Sequence, residues 1–155
     1  IIQKGEIVSF DTDMVGPYGY CADISRTYVE GNNFNESQKK LYLMAVEQIN
    51  HNSRLIKPGM SFKEFTEKSW VLPEEYYGNR YSVMVHGIGL CDEWPAIRYP
   101  TDGGERNGVF EKNMTITVES YIGKVGGKQG VKLEQQYLVG QNCLELMSHH
   151  PLEDI

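Results

Sequence analysis

The feature that most limits how this 155-residue chain can fold is the presence of acidic residues inside its most β-prone segments. Glu119 ends the run Thr-Ile-Thr-Val-Glu, and Glu134 ends the run Val-Lys-Leu-Glu. Carboxylates are depleted in strands and are costly to bury without a partner. These two acids therefore lie where folding alone would not place them, and they mark a candidate site.

Four further residues extend this set. Asp11 and Asp13 follow the strand-like residues 7–10, and side chains two positions apart share one face of a strand. Asp23 lies on the predicted return strand of the same hairpin, and His86 ends an apolar β-prone segment. A single strand acid usually faces solvent, and a single histidine at a strand end is usually a core residue. Six such residues on strands that can pair predict a shared site.

The residue types in this set favour metal binding. Several close carboxylates repel one another unless cations lie between them. Oxygen ligands with one imidazole suit Mn²⁺, Fe²⁺, Co²⁺ or Zn²⁺, and bridging carboxylates allow two ions to share the ligands. The sequence therefore predicts a site for two divalent metal ions, formed by Asp11, Asp13, Asp23, His86, Glu119 and Glu134.

Hydrophobic periodicity and turn residues predict an α+β chain with a hairpin, two helices and then a run of antiparallel strands. Asn35 and Gln38 are spaced as a capping box that begins the first helix, and residues 57–59 end it. Ser61 begins a short helix that runs to about Trp70. The predicted strands cover residues 6–10, 20–29, 81–88, 114–122, 131–139 and 143–147, whereas residues 72–81 and 95–108 are predicted to be irregular.

Charge and cysteine content narrow the class of protein. The net charge of −6 argues against nucleic acid or an anionic membrane as a partner. No apolar run approaches the ~20 residues that span a membrane, and no signal peptide is visible. The odd, widely spaced Cys21, Cys91 and Cys143 favour a reducing, cytoplasmic setting. Because the chain begins with Ile1 rather than Met, we expect a fragment of a longer polypeptide.

Four motifs resemble the successive metal motifs of one family. They are Asp-Ile-Ser-Arg-Thr (23–27), His-Gly-Ile-Gly (86–89), Thr-Val-Glu (117–119) and Gly-Val-Lys-Leu-Glu (130–134). They are similar to those of the M24, or pita-bread, metallopeptidase family, which includes methionine aminopeptidase, prolidase, aminopeptidase P and creatinase. The resemblance implies a creatinase/aminopeptidase-like antiparallel sheet with helices on its outer face.

The resemblance also implies an organisation and a ligand set. Residues 1–155 would be the C-terminal portion of the catalytic domain, without the N-terminal domain and the first half of that domain, and the full-length protein would be a homodimer. In this family two Asp, one His and two Glu hold two metals. This implies an Asp near position 12, flanked here by Asp11 and Asp13, together with Asp23, His86, Glu119 and Glu134.

Three departures point away from peptide hydrolysis. Peptidases of the family usually have a second His shortly after the HGxG motif, where this chain has Asp92. Their usual Glu-Pro is Glu119-Ser120 here, and their usual Arg before the last Glu is Lys132. Lys132 is therefore a candidate to orient Glu134 or another ligand.

The departures resemble the DddP-type dimethylsulfoniopropionate (DMSP) lyase branch, to which residues 10–23 and 81–95 are similar. This resemblance implies β-elimination of a small substrate to dimethyl sulfide and acrylate. It implies that Asp92 is the catalytic base, that Tyr81 lines the substrate site, and that the metal is iron more often than manganese or cobalt. Trp94 offers an aromatic face for the sulfonium cation of the substrate.

Two other functions remain open from the sequence. An Xaa-Pro dipeptidase or aminopeptidase would use a metal-bridging hydroxide to attack a peptide carbonyl, and Asp92 and Ser120 count against it. An inactive pita-bread module would only bind other proteins, and the retention of every metal ligand counts against that function.

Overall fold

The computed structural model of the chain describes residues 1–104, 107–153 and 155. Within these residues the chain forms nine strands, three α-helices and a short 3-10 turn at Pro17–Gly19. The elements are β1 (Ile7–Asp11), β2 (Met14–Val15), β3 (Cys21–Ala22), β4 (Ser25–Val29), α1 (Glu36–Leu55), α2 (Phe62–Lys68), α3 (Glu74–Tyr77), β5 (Val83–Gly87), β6 (Ala96–Arg98), β7 (Thr115–Gly123), β8 (Gly130–Val139) and β9 (Leu144–Leu146).

The main sheet is antiparallel and has five strands in the order β6-β5-β7-β8-β9. The hairpin is divided into two short ladders, β1 with β4 and β2 with β3. Thr27 on β4 ties the hairpin to the main sheet, because its Oγ1 lies 2.6 Å from the Lys132 carbonyl oxygen and accepts from the Lys132 amide at 3.0 Å. The hairpin is thereby held beside β8.

Helix α1 begins at the predicted capping box. The Asn35 side chain accepts from the Gln38 amide at 3.0 Å, and the Gln38 side chain accepts from the Asn35 amide at 2.9 Å. Leu41, Ala45 and Ile49 form a buried stripe at helical spacing. This stripe explains why the helix packs against the sheet.

The same helix defines the two faces of the central strands. Gln48 of α1 donates to the Tyr99 hydroxyl and accepts from the Ser120 hydroxyl, both at 2.6 Å. Because alternate residues of a strand point to opposite faces, Ser120 faces α1 and its neighbour Glu119 faces away from it. The face of β7 and β8 that carries Glu119 and Glu134 is therefore free of α1.

Two segments that were predicted to be irregular contain regular structure, so those two predictions were wrong. Residues 72–81 contain a helix, α3, whose first turn carries Glu74 and Glu75 after Pro73, an arrangement that favours a helix start. The predicted loop 95–108, of which residues 105 and 106 lie outside the described residues, contains β6, which forms because β5 offers it a pairing partner.

None of the described helices is long and apolar enough to cross a membrane.

Candidate metal centre

The centre of the candidate site is the imidazole of His86, surrounded by three carboxylates. Its Nε2 atom lies 3.2 Å from Glu134 Oε1, 3.7 Å from Asp23 Oδ2 and 3.8 Å from Glu119 Oε1. Ligand atoms of Asp23, His86 and Glu134 all lie within 4.8 Å of one another, and all three residues are buried. This spacing is suited to a single cation held between them.

Sheet register explains how three of these side chains meet. Glu119 on β7 lies directly opposite Glu134 on β8, and His86 on β5 lies opposite Thr117 on β7. Positions 117 and 119 are two residues apart, so they share one face of the strand. Three neighbouring strands therefore present His86, Glu119 and Glu134 on the face away from α1.

Asp23 reaches the site from a break between two strands. The predicted continuous strand 20–29 is interrupted, because residues 23 and 24 lie between β3 and β4. The Asp23 amide donates to the Gln136 side chain at 3.3 Å, and the Ile24 amide donates to Thr12 Oγ1 at 3.0 Å. These two hydrogen bonds to side chains replace the backbone hydrogen bonds that a continuous strand would make. They hold Asp23 beside His86.

The acidic residues of the site strongly shift the pKa values of one another. Burial and the charges of Glu134, Asp11 and Asp13 raise the pKa of Asp23 to about 8. Burial also raises the pKa of Glu119 to about 7, although the nearby Lys132 ammonium opposes the shift. Without a cation between them, these carboxyl groups therefore retain protons near neutral pH.

His86 and Glu134 behave as a charged pair. Burial lowers the pKa of His86, but the hydrogen bond to Glu134 and the charge of Glu119 outweigh it and raise the value to about 9. Burial raises the pKa of Glu134, yet the hydrogen bond from His86 and the charge of Lys132 lower it to about 2. The imidazolium thus supplies positive charge to the carboxylates around it.

Two buried oxygen atoms provide a test of whether a metal fits this centre. Among the described residues, Asp23 Oδ1 and Glu119 Oε1 are buried and have no hydrogen-bond partner. A buried oxygen without a partner is costly, and a divalent cation would satisfy it. The donor set of carboxylate oxygens and one imidazole nitrogen suits such an ion. The residues therefore fit a divalent metal.

A second cluster shares Asp23. Ligand atoms of Asp13, Asp23 and Asp92 all lie within 4.8 Å of one another. Asp13 is exposed and has a positive φ of 31°, so it lies outside β1 and does not continue its alternation. Asp92 is half-buried, and its Oδ1 accepts from the Glu93 amide at 3.0 Å. Burial raises the pKa of Asp92, whereas the charge of His86 opposes this shift.

Asp11 approaches the site from another side. Ser25 Oγ lies 2.6 Å from Asp11 Oδ1 and 2.9 Å from Glu134 Oε2, so one hydroxyl group joins the two carboxylates. Asp11 Oδ2 lies 3.8 Å from the Lys132 ammonium. The expectation that Asp11 and Asp13 share a strand face was wrong, because β1 ends at Asp11.

Lys132, the candidate to orient Glu134 or another ligand, contacts Glu119. Its ammonium donates to Glu119 Oε2 and lies 4.3 Å from the centre of the Tyr81 ring. Ser25, which joins Asp11 to Glu134, is not among the site residues that the sequence predicts. Its only signal was its position within the motif that contains Asp23.

The two expected substrate residues line different cavities. Tyr81 lines a cavity of about 350 Å³ together with Asp11 and Lys132, and its hydroxyl donates to Glu93 at 3.3 Å. Trp94 is 62% exposed and lines a mainly apolar cavity of about 360 Å³ that includes Leu90. The structure therefore does not bring Tyr81 and Trp94 into one cavity.

Comparison with known proteins gives the class of this chain. Residues 1–141 match the sequence profile of metallopeptidase family M24, and the chain belongs to that family. The predicted α+β, pita-bread fold class is confirmed by the structural neighbours. The prolidase from Pyrococcus horikoshii has a TM-score of 0.80 at 28% identity, with 99% of this chain and 43% of that chain covered. The prolidase from Pyrococcus furiosus has a TM-score of 0.75 at 30% identity, with 94% and 42% covered.

The relatives within the family include a lyase and a dipeptidase. The chain is 39% identical to the dimethylsulfoniopropionate lyase DddP of Roseovarius nubinhibens, with 99% of this chain and 35% of that protein covered. It is 33% identical to the Xaa-Pro dipeptidase of Pyrococcus furiosus, with 91% of this chain and 39% of that protein covered. The chain thus spans about a third of the length of the lyase and about two-fifths of the dipeptidase.

Proposed function

We propose that this protein is a metal-dependent lyase that cleaves dimethylsulfoniopropionate to dimethyl sulfide and acrylate. The observation that carries the proposal is Asp92, which lies beside Asp13 and Asp23 in the segment where peptidases of the family have a histidine. The 39% identity to a DMSP lyase over nearly the whole chain supports it. The substrate class is accordingly a small zwitterion rather than a peptide.

In this proposal Asp23, His86, Glu119 and Glu134, together with Asp11 and Asp13, hold two divalent metal ions. When bound, the ions supply positive charge that stabilises the negative charge developing beside the substrate carboxylate. Iron is the proposed metal, and manganese, cobalt and zinc suit the same ligands.

Asp92 is the proposed base. It takes a proton from the carbon next to the carboxylate, and that C–H electron pair becomes the new carbon–carbon double bond. The carbon–sulfur bond breaks at the same time, and its electron pair leaves with dimethyl sulfide. The raised pKa of Asp92, which is caused by burial, favours proton uptake. Asp92 then returns the proton to water.

The aromatic residues have separate proposed roles. Trp94 would present an aromatic face to the sulfonium cation, a contact worth roughly 0.5–2 kcal/mol. Tyr81 would line the substrate cavity beside Asp11 and Lys132. We further propose that the chain is part of the catalytic domain of a homodimer. The three free cysteines support a reducing, cytoplasmic location.

A headspace assay for dimethyl sulfide, run with DMSP on the full-length protein, tests this proposal. The alternative is an Xaa-Pro dipeptidase, favoured by the 33% identity to the Pyrococcus furiosus dipeptidase. An Xaa-Pro dipeptide assay on the same preparation addresses it. Dimethyl sulfide without proline release supports the lyase, whereas proline release without dimethyl sulfide refutes it.

A further inference from the structure

Lys132 is a largely buried ammonium group whose hydrogen-bonding capacity is only partly used. Its side chain is 12% exposed. An ammonium group has three N–H donors. Among the described residues, Glu119 is the acceptor within hydrogen-bonding distance, and the next carboxylate oxygen, Asp11 Oδ2, is 3.8 Å away. The other carboxylate oxygen of Asp11, Oδ1, accepts from the Ser25 hydroxyl.

The group lies on the wall of the 350 Å³ cavity that also includes Arg80, Tyr81 and Tyr121. Small-molecule sites are typically cavities of this size with a few convergent polar groups. The other cation of the cavity, Arg80, already uses its donors, because its guanidinium donates to both carboxylate oxygens of Asp102, to the Tyr77 backbone oxygen and to the Thr101 hydroxyl. Lys132 is therefore the cationic donor that the cavity offers to an incoming molecule.

The Lys132 ammonium favours an anion over a cation at its own wall of the cavity, which Asp11 also lines. The Tyr81 ring already carries the Lys132 ammonium at 4.3 Å, so a second cation on that face would be repelled. A hydrogen bond between an ammonium and a carboxylate is among the stronger polar contacts. The sulfonium end of a zwitterion is thus disfavoured beside Lys132 and Tyr81.

We propose that the cavity beside Lys132 is the subsite for the carboxylate group of the substrate, with Lys132 donating directly to one carboxylate oxygen. This inference rests on the proposed function, because it names the end of the zwitterion that this cavity receives. It makes Lys132 a substrate-binding residue as well as the partner of Glu119.

Titration calorimetry of the full-length, metal-loaded protein with propionate tests the subsite without any turnover. Propionate has the carboxylate of the substrate but no sulfonium, and propionamide is its uncharged counterpart. The wild type is expected to bind propionate and not propionamide. Lys132→Met keeps the side-chain length and removes the charge, so it should bind propionate about tenfold more weakly.

Two further variants make the result specific. Lys132→Arg keeps a cationic donor and should bind propionate within about threefold of the wild type. Lys128→Met removes a charge from an exposed lysine of the β7–β8 turn and should leave binding unchanged. The metal content of each variant is measured by elemental analysis. If Lys132→Met loses its metal, the Lys132→Arg variant provides the test instead. A metal-loaded Lys132→Arg protein that does not bind propionate overturns the proposal.

The sulfide assay separates this inference from the proposed function. Dimethyl sulfide release by the wild type, together with unchanged propionate affinity in Lys132→Met, would overturn the subsite alone. Propionate binding that depends on Lys132, in a protein that releases no sulfide, would support the anion subsite and refute the lyase.

Discussion

Glu119 and Glu134 lie directly opposite each other across the β7–β8 ladder, and each is only 1% exposed. Directly opposed like charges destabilise a sheet. The molecule accommodates them because His86 hydrogen bonds to Glu134 and Lys132 donates to Glu119. Each carboxylate is therefore paired with a cationic neighbour, and these two pairs offset the repulsion across the ladder.

Replacement of Glu134 by glutamine should abolish metal binding and activity together. The change keeps the side-chain shape but removes a buried anion that faces both His86 and Ser25. Elemental analysis should find the metal content of the purified protein greatly reduced. Glu145→Gln, on the exposed part of β9, is the matched control and should retain the wild-type metal content. Full metal occupancy in Glu134→Gln would exclude this residue as a ligand.

Replacement of Asp92 by asparagine should leave the metal content intact and reduce turnover at least 100-fold, because general-base catalysis typically contributes that much. Sulfide release and metal content are measured on the same sample. Glu111→Gln, at an exposed position, provides the control for removal of a single acidic group. An Asp92→Asn protein with unchanged turnover would show that another group takes the proton.

Metal binding should release roughly two protons per chain at pH 7. In the metal-free protein the pKa values of His86, Asp23 and Glu119 are about 9, 8 and 7, so these groups are largely or partly protonated. Metal ligands must lose their protons, and the affinity should therefore rise with pH up to about 9. Calorimetric titrations in two buffers with different ionisation enthalpies count the released protons. Equal enthalpies in the two buffers would contradict these pKa values.

The metal-free fold should lose thermal stability as the pH rises from 6 to 9. The folded-state pKa values of Asp23 and His86 lie above their ordinary values of 3.8 and 6.5, so the folded state binds more protons than the unfolded chain. Stability must then fall with rising pH through this range. Melting temperatures recorded with a chelator and with added metal provide the comparison. A metal-free melting temperature that rises toward pH 9 would reverse the predicted sign.

Replacement of Arg26 by methionine should lower the free energy of unfolding by about 3 kcal/mol or more, because buried carbonyl groups would lose their charged donor. The Arg26 guanidinium donates to the backbone oxygens of Ser25, Glu134 and Pro151 at 2.7 to 3.0 Å. Chemical denaturation measures the loss. Arg54→Met, at an exposed position of α1, should change stability by less than about 0.5 kcal/mol.

The predictable part of this protein consists of signals that act over a few residues. The capping box of Asn35 and Gln38 is confirmed, and so is Ser61 as the cap of α2. The strands β5, β7 and β8 lie within two residues of their predicted bounds. Helix α3 and strand β6 were not predicted, because a single helical turn and a three-residue edge strand carry little periodicity of their own.

By itself, the sequence determined the α+β class, the family and the identities of the candidate ligands, because residue types and motif spacing are local properties of the chain. Only the tertiary structure decided how they are grouped. Asp13 lies beside Asp92 whereas Asp11 lies beside Lys132, because β1 ends at Asp11 and does not include Asp13. Strand register set Glu119 against Glu134, and the packing of segments distant in the chain placed Tyr81 and Trp94 in separate cavities. Register and packing depend on contacts between residues far apart in sequence, which no local pattern specifies.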